Sequence, residues 1–269
     1  MYEQEYVRKR KRKRIAAIVG GISSVVVISF AIIAFLGRFV GTFTVSLESK
    51  DVTLTLYENS KSQERSSFLR VDVVAPFHEI TYSDFGTIYG GNEELDSEDN
   101  TYEYGAEMVD GKVDSFNFFK YTFYLENYGT KDLRFDWRLN ILDDVKSINN
   151  VSLLDTLRVI VFVDGDDDVY GKPLSEPHYD NPKGEADYRP PVSVSKEQQS
   201  DTFPFMGYAK TFYSSDVVAA FIGQDIAGGQ AIRYTIVAYL EGFLSDPSDF
   251  APRGAQLKLG VDINAYEIK

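Results

Sequence analysis

The chain has 269 residues, no cysteine and a formal net charge of −13 at pH 7. The missing thiols exclude disulfides, iron–sulfur clusters, cysteine-ligated zinc and thiol catalysis. The charge is divided, +5 on residues 1–14 and −18 on residues 38–269. So acidic a body repels phosphate backbones, which argues against nucleic acid as a partner.

Seven consecutive bases, Arg8, Lys9, Arg10, Lys11, Arg12, Lys13 and Arg14, precede 23 residues, 15–37, that carry no charge. A helix of that length reaches ~34 Å, enough for a hydrocarbon core of ~30 Å. Basic residues beside a spanning segment stay in the cytoplasm. The expectation is a cytoplasmic tail at 1–14, a transmembrane helix or uncleaved signal anchor at 15–37, and an extracellular domain at 38–269. That is a single pass through a bacterial plasma membrane, with the lipid bilayer as first partner. A removable signal peptide has an apolar core of ~7–15 residues and a small-residue cleavage site. Here the run is longer and ends Phe35-Leu36-Gly37-Arg38-Phe39, although Ala34 or Gly37 could serve a specialised peptidase. Gly20, Gly21, Ser23 and Ser24 are small enough to let two such helices approach.

Beyond the apolar run the pattern has period two. Phe43, Val45 and Leu47 alternate with polar residues, as do Val52, Leu54 and Leu56, with Ser49-Lys50-Asp51 as the turn between them. Such alternation puts one strand face on a core and the other in water. A third strand is expected at 69–74. Residues 82–114 are rich in glycine and acid (Glu93, Glu94, Asp96, Glu98, Asp99, Glu103, Glu107, Asp110), which predicts an exposed insertion with one hairpin near 102–109. The clearest expected hairpin follows. Phe119, Tyr121, Phe123 and Leu125 share a face, Asn127-Tyr128-Gly129-Thr130 turns the chain by accepting positive φ, and Leu133, Phe135, Trp137, Leu139 and Ile141 share the returning face.

Residues 151–158 predict a short helix or turn capped by Ser152 with Asp155 in its first turn, leading into an apolar strand at 159–163. Pro173, Pro177, Pro182, Pro190 and Pro191 make 171–201 a surface excursion. Strands resume at 209–212, 217–222 and 231–241. In the last, 256–266, Leu257, Leu259, Val261 and Ile263 face inward while Lys258, Gly260, Asp262 and Asn264 face outward. Some nine short strands predict an all-β fold, an antiparallel, Greek-key-like β-sandwich preceded by one N-terminal transmembrane helix.

The segment YTFYLENYGTKDLRFDWRL at 121–139 resembles the strand, Asn-x-Gly-Thr, strand core of bacterial envelope proteins of the TasA/camelysin type. GTFTVSL at 41–47, RYTIVAYLEG at 233–242 and the N-terminal apolar segment are similar to that family as well. The resemblance covers about a third of the chain. It implies a Greek-key sandwich displayed on a monoderm bacterium, in a family some of whose members build matrix fibres by strand exchange. The insertions at 82–114 and 171–201 and the retained anchor depart from the family plan.

The search for chemistry returns mostly negatives. His78-Glu79-Ile80-Thr81-Tyr82 begins like H-E-x-x-H, but Tyr82 stands where the second zinc ligand is needed. No G-x-S-x-G is present. The best polar constellation is 164–168. Asp164, Asp166 and Asp168 match positions 1, 3 and 5 of a Ca²⁺ loop. Val169 then stands where glycine is required and Ser175 where the twelfth-position carboxylate belongs. A modified Ca²⁺ loop and an acidic hairpin turn are both open readings. Glu241, Asp246 and Asp249 could add ligands if they lie nearby, and Tyr82, Phe85, Tyr89, Tyr102, Tyr104, Tyr179 and Tyr188 could stack on sugars or anchor a partner. The expectation is a non-enzymatic cell-surface protein with a structural or protein-interaction role in the envelope or matrix, bound to other envelope or matrix proteins. No resident cofactor is expected unless Ca²⁺ binds. The alternative is a Ca²⁺-dependent glycan- or ligand-binding module; a hydrolase comes third.

Overall fold

The computed structural model describes residues 38–49, 53–61, 64–76, 88, 109–113, 115, 117–173, 187–188, 207–240 and 254–267. Among these, no helix is long and apolar enough to cross a membrane. The segment 15–37 lies outside them, as do His78, His178, the 102–109 hairpin and the 241–249 cluster.

The fold is all-β. In chain order the strands are β1 (Arg38–Ser49), β2 (Leu54–Tyr57), β3 (Phe68–Pro76), β4 (Gly111–Val113), β5 (Phe118–Asn127), β6 (Leu133–Val145), β7 (Leu157–Val163) and β8 (Asp166–Gly171). They continue as β9 (Asp187–Tyr188), β10 (Gly207–Tyr208), β11 (Lys210–Thr211), β12 (Val217–Ile226), β13 (Ala231–Leu240) and β14 (Gln256–Glu267). One sheet runs β12-β6-β14-β1-β3. The other runs β11-β8-β7-β13-β5-β2, with β4 also on β5, and β9 pairs β10 separately. The sheets are mixed rather than purely antiparallel, because β1 lies parallel to β14 and β11 parallel to β8. The first and last long strands are neighbours, so the whole chain, and no local turn, connects that parallel pair.

The two sheets face each other across one aromatic core. Trp137 of β6 stacks on Tyr234 of β13 with centroids 5.4 Å apart, and Phe43 of β1 meets Phe119 and Tyr121 of β5 at 5.1 and 5.5 Å. The alternating residues expected to point inward on β1, β5, β6 and β14 are buried there, with Ile141 of β6 partly so, and Ile232, Tyr234, Ile236, Ala238 and Leu240 of β13 join them. Gly260, expected to face outward, is buried, and a β-carbon on it would stand 2.8 Å from Leu142.

The expected hairpin at 119–141 does not form. β5 pairs with β2, β4 and β13, whereas β6 pairs with β12 and β14, so the chain crosses from one sheet to the other at 128–132. β1 and β2 likewise belong to different sheets. Neither Asn127 nor Gly129 takes positive φ. Asn127 is fully buried instead. Its Oδ1 accepts from Thr53 Oγ1 at 2.8 Å and Gly129 N at 3.1 Å, and its Nδ2 donates to the carbonyls of Lys131 at 2.7 Å and Ile226 at 3.3 Å. Gly129 is required for space, since a β-carbon there would lie 2.1 Å from Thr53 Oγ1. The β12–β13 connection crosses beside it, with Gly229 N donating to the Asn127 carbonyl.

At the other end of the two sheets, Ser147 and Val151 pin the turn after β6. Then Ser152 caps a 3-10 turn at Leu153–Asp155 by accepting from Leu154 N, as expected. Its hydroxyl donates to Asp144.

Of 82–114, only residues 88 and 109–113 are among those described, and two of them are engaged with the fold. Ile88 is fully buried in a second apolar cluster with Phe118, Ile160, Phe162, Val169, Ala209, Val237 and Tyr239, on the face of the β5–β13–β7–β8 sheet turned away from the main core. Asp110 is also engaged. It accepts from Ser60 N at 2.9 Å, Ser60 Oγ at 2.7 Å and Tyr124 Oη at 2.6 Å. Burial raises its carboxyl, but these donors outweigh burial and hold it below the usual carboxylate range. Tyr124, through burial and that carboxylate, is pushed up to about 12. A carboxyl lowered by folding contributes stability that is complete at neutral pH and lost as pH falls through the lowered value. Asp110→Asn should therefore lower the melting temperature at neutral pH, and the gap to wild type should close in acid. A gap that stayed constant through the acid range would contradict this.

Candidate binding crevice

The acidic stretch 164–168 is a two-residue hairpin turn. Asp164 and Gly165 take φ of 52° and 103°, and Val163 pairs with Asp166 directly across. Asp-Gly suits the turn in which both central residues need positive φ. Asp164 is locked in place, its N–H donating to the Arg233 carbonyl at 2.9 Å and its Oδ1 accepting from Arg233 N at 2.8 Å.

Register then decides where the other carboxylates go. Asp166 stands opposite Val163 and Asp168 opposite Val161, so both share the sheet face that carries those valines toward the core. They do not collapse into it because β8 lies next to the sheet margin, beside the two-residue β11. The result is a crevice of about 270 Å³ between the margins of the two sheets. Val161, Val163 and Tyr234 form its apolar side, Phe221 and Gln224 of β12 the facing side, and Asp166, Asp167 and Asp168 the acidic lip.

β12 presents two residues to that opening through a bulge. The β6–β12 register shifts between Phe221 and Gln224, and Gly223 takes φ of 67° while its N–H donates to Asp136 Oδ1 at 2.8 Å. A bulge adds a residue on one strand. Thus Phe221 and Gln224, three apart, both face inward, which strict alternation forbids. Phe221 also packs on Trp137 with centroids 5.1 Å apart.

The three predicted Ca²⁺ ligands have separate surroundings. Asp164 serves the turn, and Asp168 pairs with Lys210 Nζ and accepts from Tyr170 Oη at 3.4 Å. Asp166 is exposed at the lip, and its carboxylate has no hydrogen bond or ion pair among the described residues. Among those residues, no group of three or more His, Cys, Asp or Glu side chains is placed to hold a metal ion. Burial, then the charge of Asp168, raises the Tyr170 hydroxyl. Burial, then the charge of Asp164, raises that of Tyr234. Both hydroxyls are protonated at neutral pH.

The stretch 164–168 was legible as a polar feature, whereas Phe221, Gln224, Tyr234, Val161 and Val163 were not associated with it. Of the tyrosines expected in loops, Tyr188 lies in β9 and the others lie outside the described residues. No family model matches the chain, and neither a curated protein nor a solved structure matches it.

Proposed function

We propose that the chain is a membrane-anchored cell-surface protein whose acidic β-sandwich has a structural or protein-interaction role in a bacterial envelope or matrix, as the TasA/camelysin resemblance suggests. The observation that carries the reading is strand polarity. Arg38, directly after the uncharged run, begins β1, in register with Gln256 at the start of β14 and, through it, with Val145 at the end of β6. The crevice lies toward the opposite end, where Gln224 pairs beside Phe135 near the start of β6 and Val163 ends β7. Anchoring through 15–37 would thus hold the crevice away from the lipid. Its mixture of apolar walls and an acidic lip suits a basic or amphipathic segment of a partner protein.

Two measurements test this. Protease added to intact cells should digest the 38–269 body, and a body spared until the cells are lysed would refute the stated sidedness. Affinity capture from the native envelope with the full chain should recover a partner that is lost with Asp166→Lys combined with Gln224→Ala, two exposed residues that line the crevice from opposite sides. Retention of the same partner by that variant would move the binding site elsewhere. Heat evolved on titrating Ca²⁺, abolished by Asp166→Asn, would favour the calcium-dependent glycan module instead.

A further inference from the structure

At the end of the sandwich nearest Arg38, three large apolar side chains stand exposed among the described residues. Ile148 is 90 % exposed, Leu142 46 % and Val145 42 %. All three belong to the end of β6 and the turn that follows it. The turn is built rigidly. Ser147 N donates to the Val151 carbonyl at 2.8 Å, Val151 N donates to Ser147 Oγ at 3.0 Å, Asn150 N donates to the Ser147 carbonyl at 2.9 Å, and Asn150 takes φ of 63°. Ile148 is thereby held at the tip of a fixed loop, with Lys146 exposed beside it.

We propose that this tip is a second membrane contact, in which Ile148 and Val145 enter the lipid interface of the bilayer that anchors the chain. The inference rests on the anchored reading above and adds to it the orientation of the sandwich. No linker separates residue 37 from β1, which starts at Arg38. Adjacent strands lie ~4.8 Å apart, so Val145, two strands from Arg38 through Gln256, is within ~10 Å of the anchor's exit. The headgroup layer on each side of a bilayer is several ångströms deep, and apolar side chains on interfacial elements are buried ~5–10 Å into it. A tip three residues beyond Val145 falls within that layer. Charge alone does not explain the contact, since the body is acidic and Asp143 is exposed close by. Asp143 stands opposite Lys258 in register, which leaves Lys146 to meet lipid phosphates.

The absence of cysteine allows a single probe to be placed at will. The full chain, carrying an environment-sensitive fluorophore at Asn149→Cys, is reconstituted in nanodiscs of phosphatidylcholine and phosphatidylglycerol. Parallel chains carry the probe at Lys131→Cys, in the far corner, and at Val26→Cys, in the anchor. The Asn149 probe should shift to the blue, be quenched by doxyl-labelled lipid and be shielded from iodide, and Ile148→Asp should abolish all three effects. The Lys131 probe should remain open to iodide. If the Asn149 probe is iodide-accessible while the Val26 probe is quenched by lipid, the anchor stands and this contact is refuted. Unchanged quenching at Asn149 in the Ile148→Asp chain refutes it too. If the Val26 probe is itself open to iodide, the anchored reading fails and this inference fails with it.

Discussion

Replacing Asn127 with alanine should destabilise the sandwich by about 3–5 kcal/mol, because several polar groups lose a buried partner at once and each unsatisfied group costs about 1–3 kcal/mol. The side chain joins three separate pieces of chain: Thr53 on the way into β2, the β5–β6 crossing at Gly129 and Lys131, and the β12–β13 crossing at Ile226. In a domain of this size 1 kcal/mol moves the melting temperature by about 2–4 °C, so a fall of roughly 10 °C is expected. Asn127→Asp sharpens the test. The carboxylate keeps the contacts with Thr53 and Gly129 but turns an oxygen toward the carbonyls of Lys131 and Ile226, which need a donor. Burial and that repulsion raise its pKa, so its deficit relative to wild type should be greatest at neutral pH and shrink as acid protonates it. The alanine variant has no such recovery. An aspartate variant as stable as wild type at neutral pH would show that Asn127 does not tie the crossings together.

That residue also shows how far sequence reading reaches. Alternation in 119–125 and 133–141 identified the buried faces correctly, because period two reports which side of a strand meets a core. It carries no information about which sheet a strand joins. Asn-x-Gly is consistent with a hairpin and with a crossing between sheets, and the difference lies in contacts to Thr53 and Ile226, 74 and 99 residues away. A second signal was present. The unbroken apolar run at 159–163 and the stretch IVAYL at 236–240 mark strands buried on both faces, and the structure has a second apolar cluster on that side. Such runs imply a cover, which makes it less surprising that Ile88, from an acidic and glycine-rich stretch, is buried there.

The crevice was half legible. Asp166 and Asp168 share parity with buried Tyr170, so carboxylates at inward positions of a strand could be seen as a departure from core patterning. Charged residues pointing inward near a sheet margin also discourage a further strand from adding there. What could not be foreseen is the facing wall. It depends on a one-residue bulge in β12, set by Gly223 and the Asp136 carboxylate, and no local pattern announces a bulge that rotates Gln224 onto the face of Phe221.

Trp137→Ala should cost about 3–5 kcal/mol, the range for removing a buried large aromatic side chain. The indole is fully buried, with Phe221 against it at 5.1 Å and Tyr234 stacked at 5.4 Å. Both of those rings line the crevice, so the core and the candidate site share this one support. The loss should therefore appear twice, as a lower melting temperature and as weaker capture of the proposed partner at temperatures where the variant is still folded. Trp137→Phe separates the causes. Among the described residues the buried indole Nε1 has no hydrogen-bond partner, and a buried donor left unmet costs about 1–3 kcal/mol. Phenylalanine removes that donor while keeping a ring beneath Phe221 and Tyr234. It should retain most of the stability and the partner, its smaller volume being offset by the lost polar penalty. As this is the chain's single tryptophan, its emission in the wild type should be blue-shifted and resistant to acrylamide, and both properties should vanish at the unfolding midpoint. If Trp137→Phe proved as damaging as Trp137→Ala, filling the space between the sheets would not be what this side chain does, and the crevice would need another account of its rigidity.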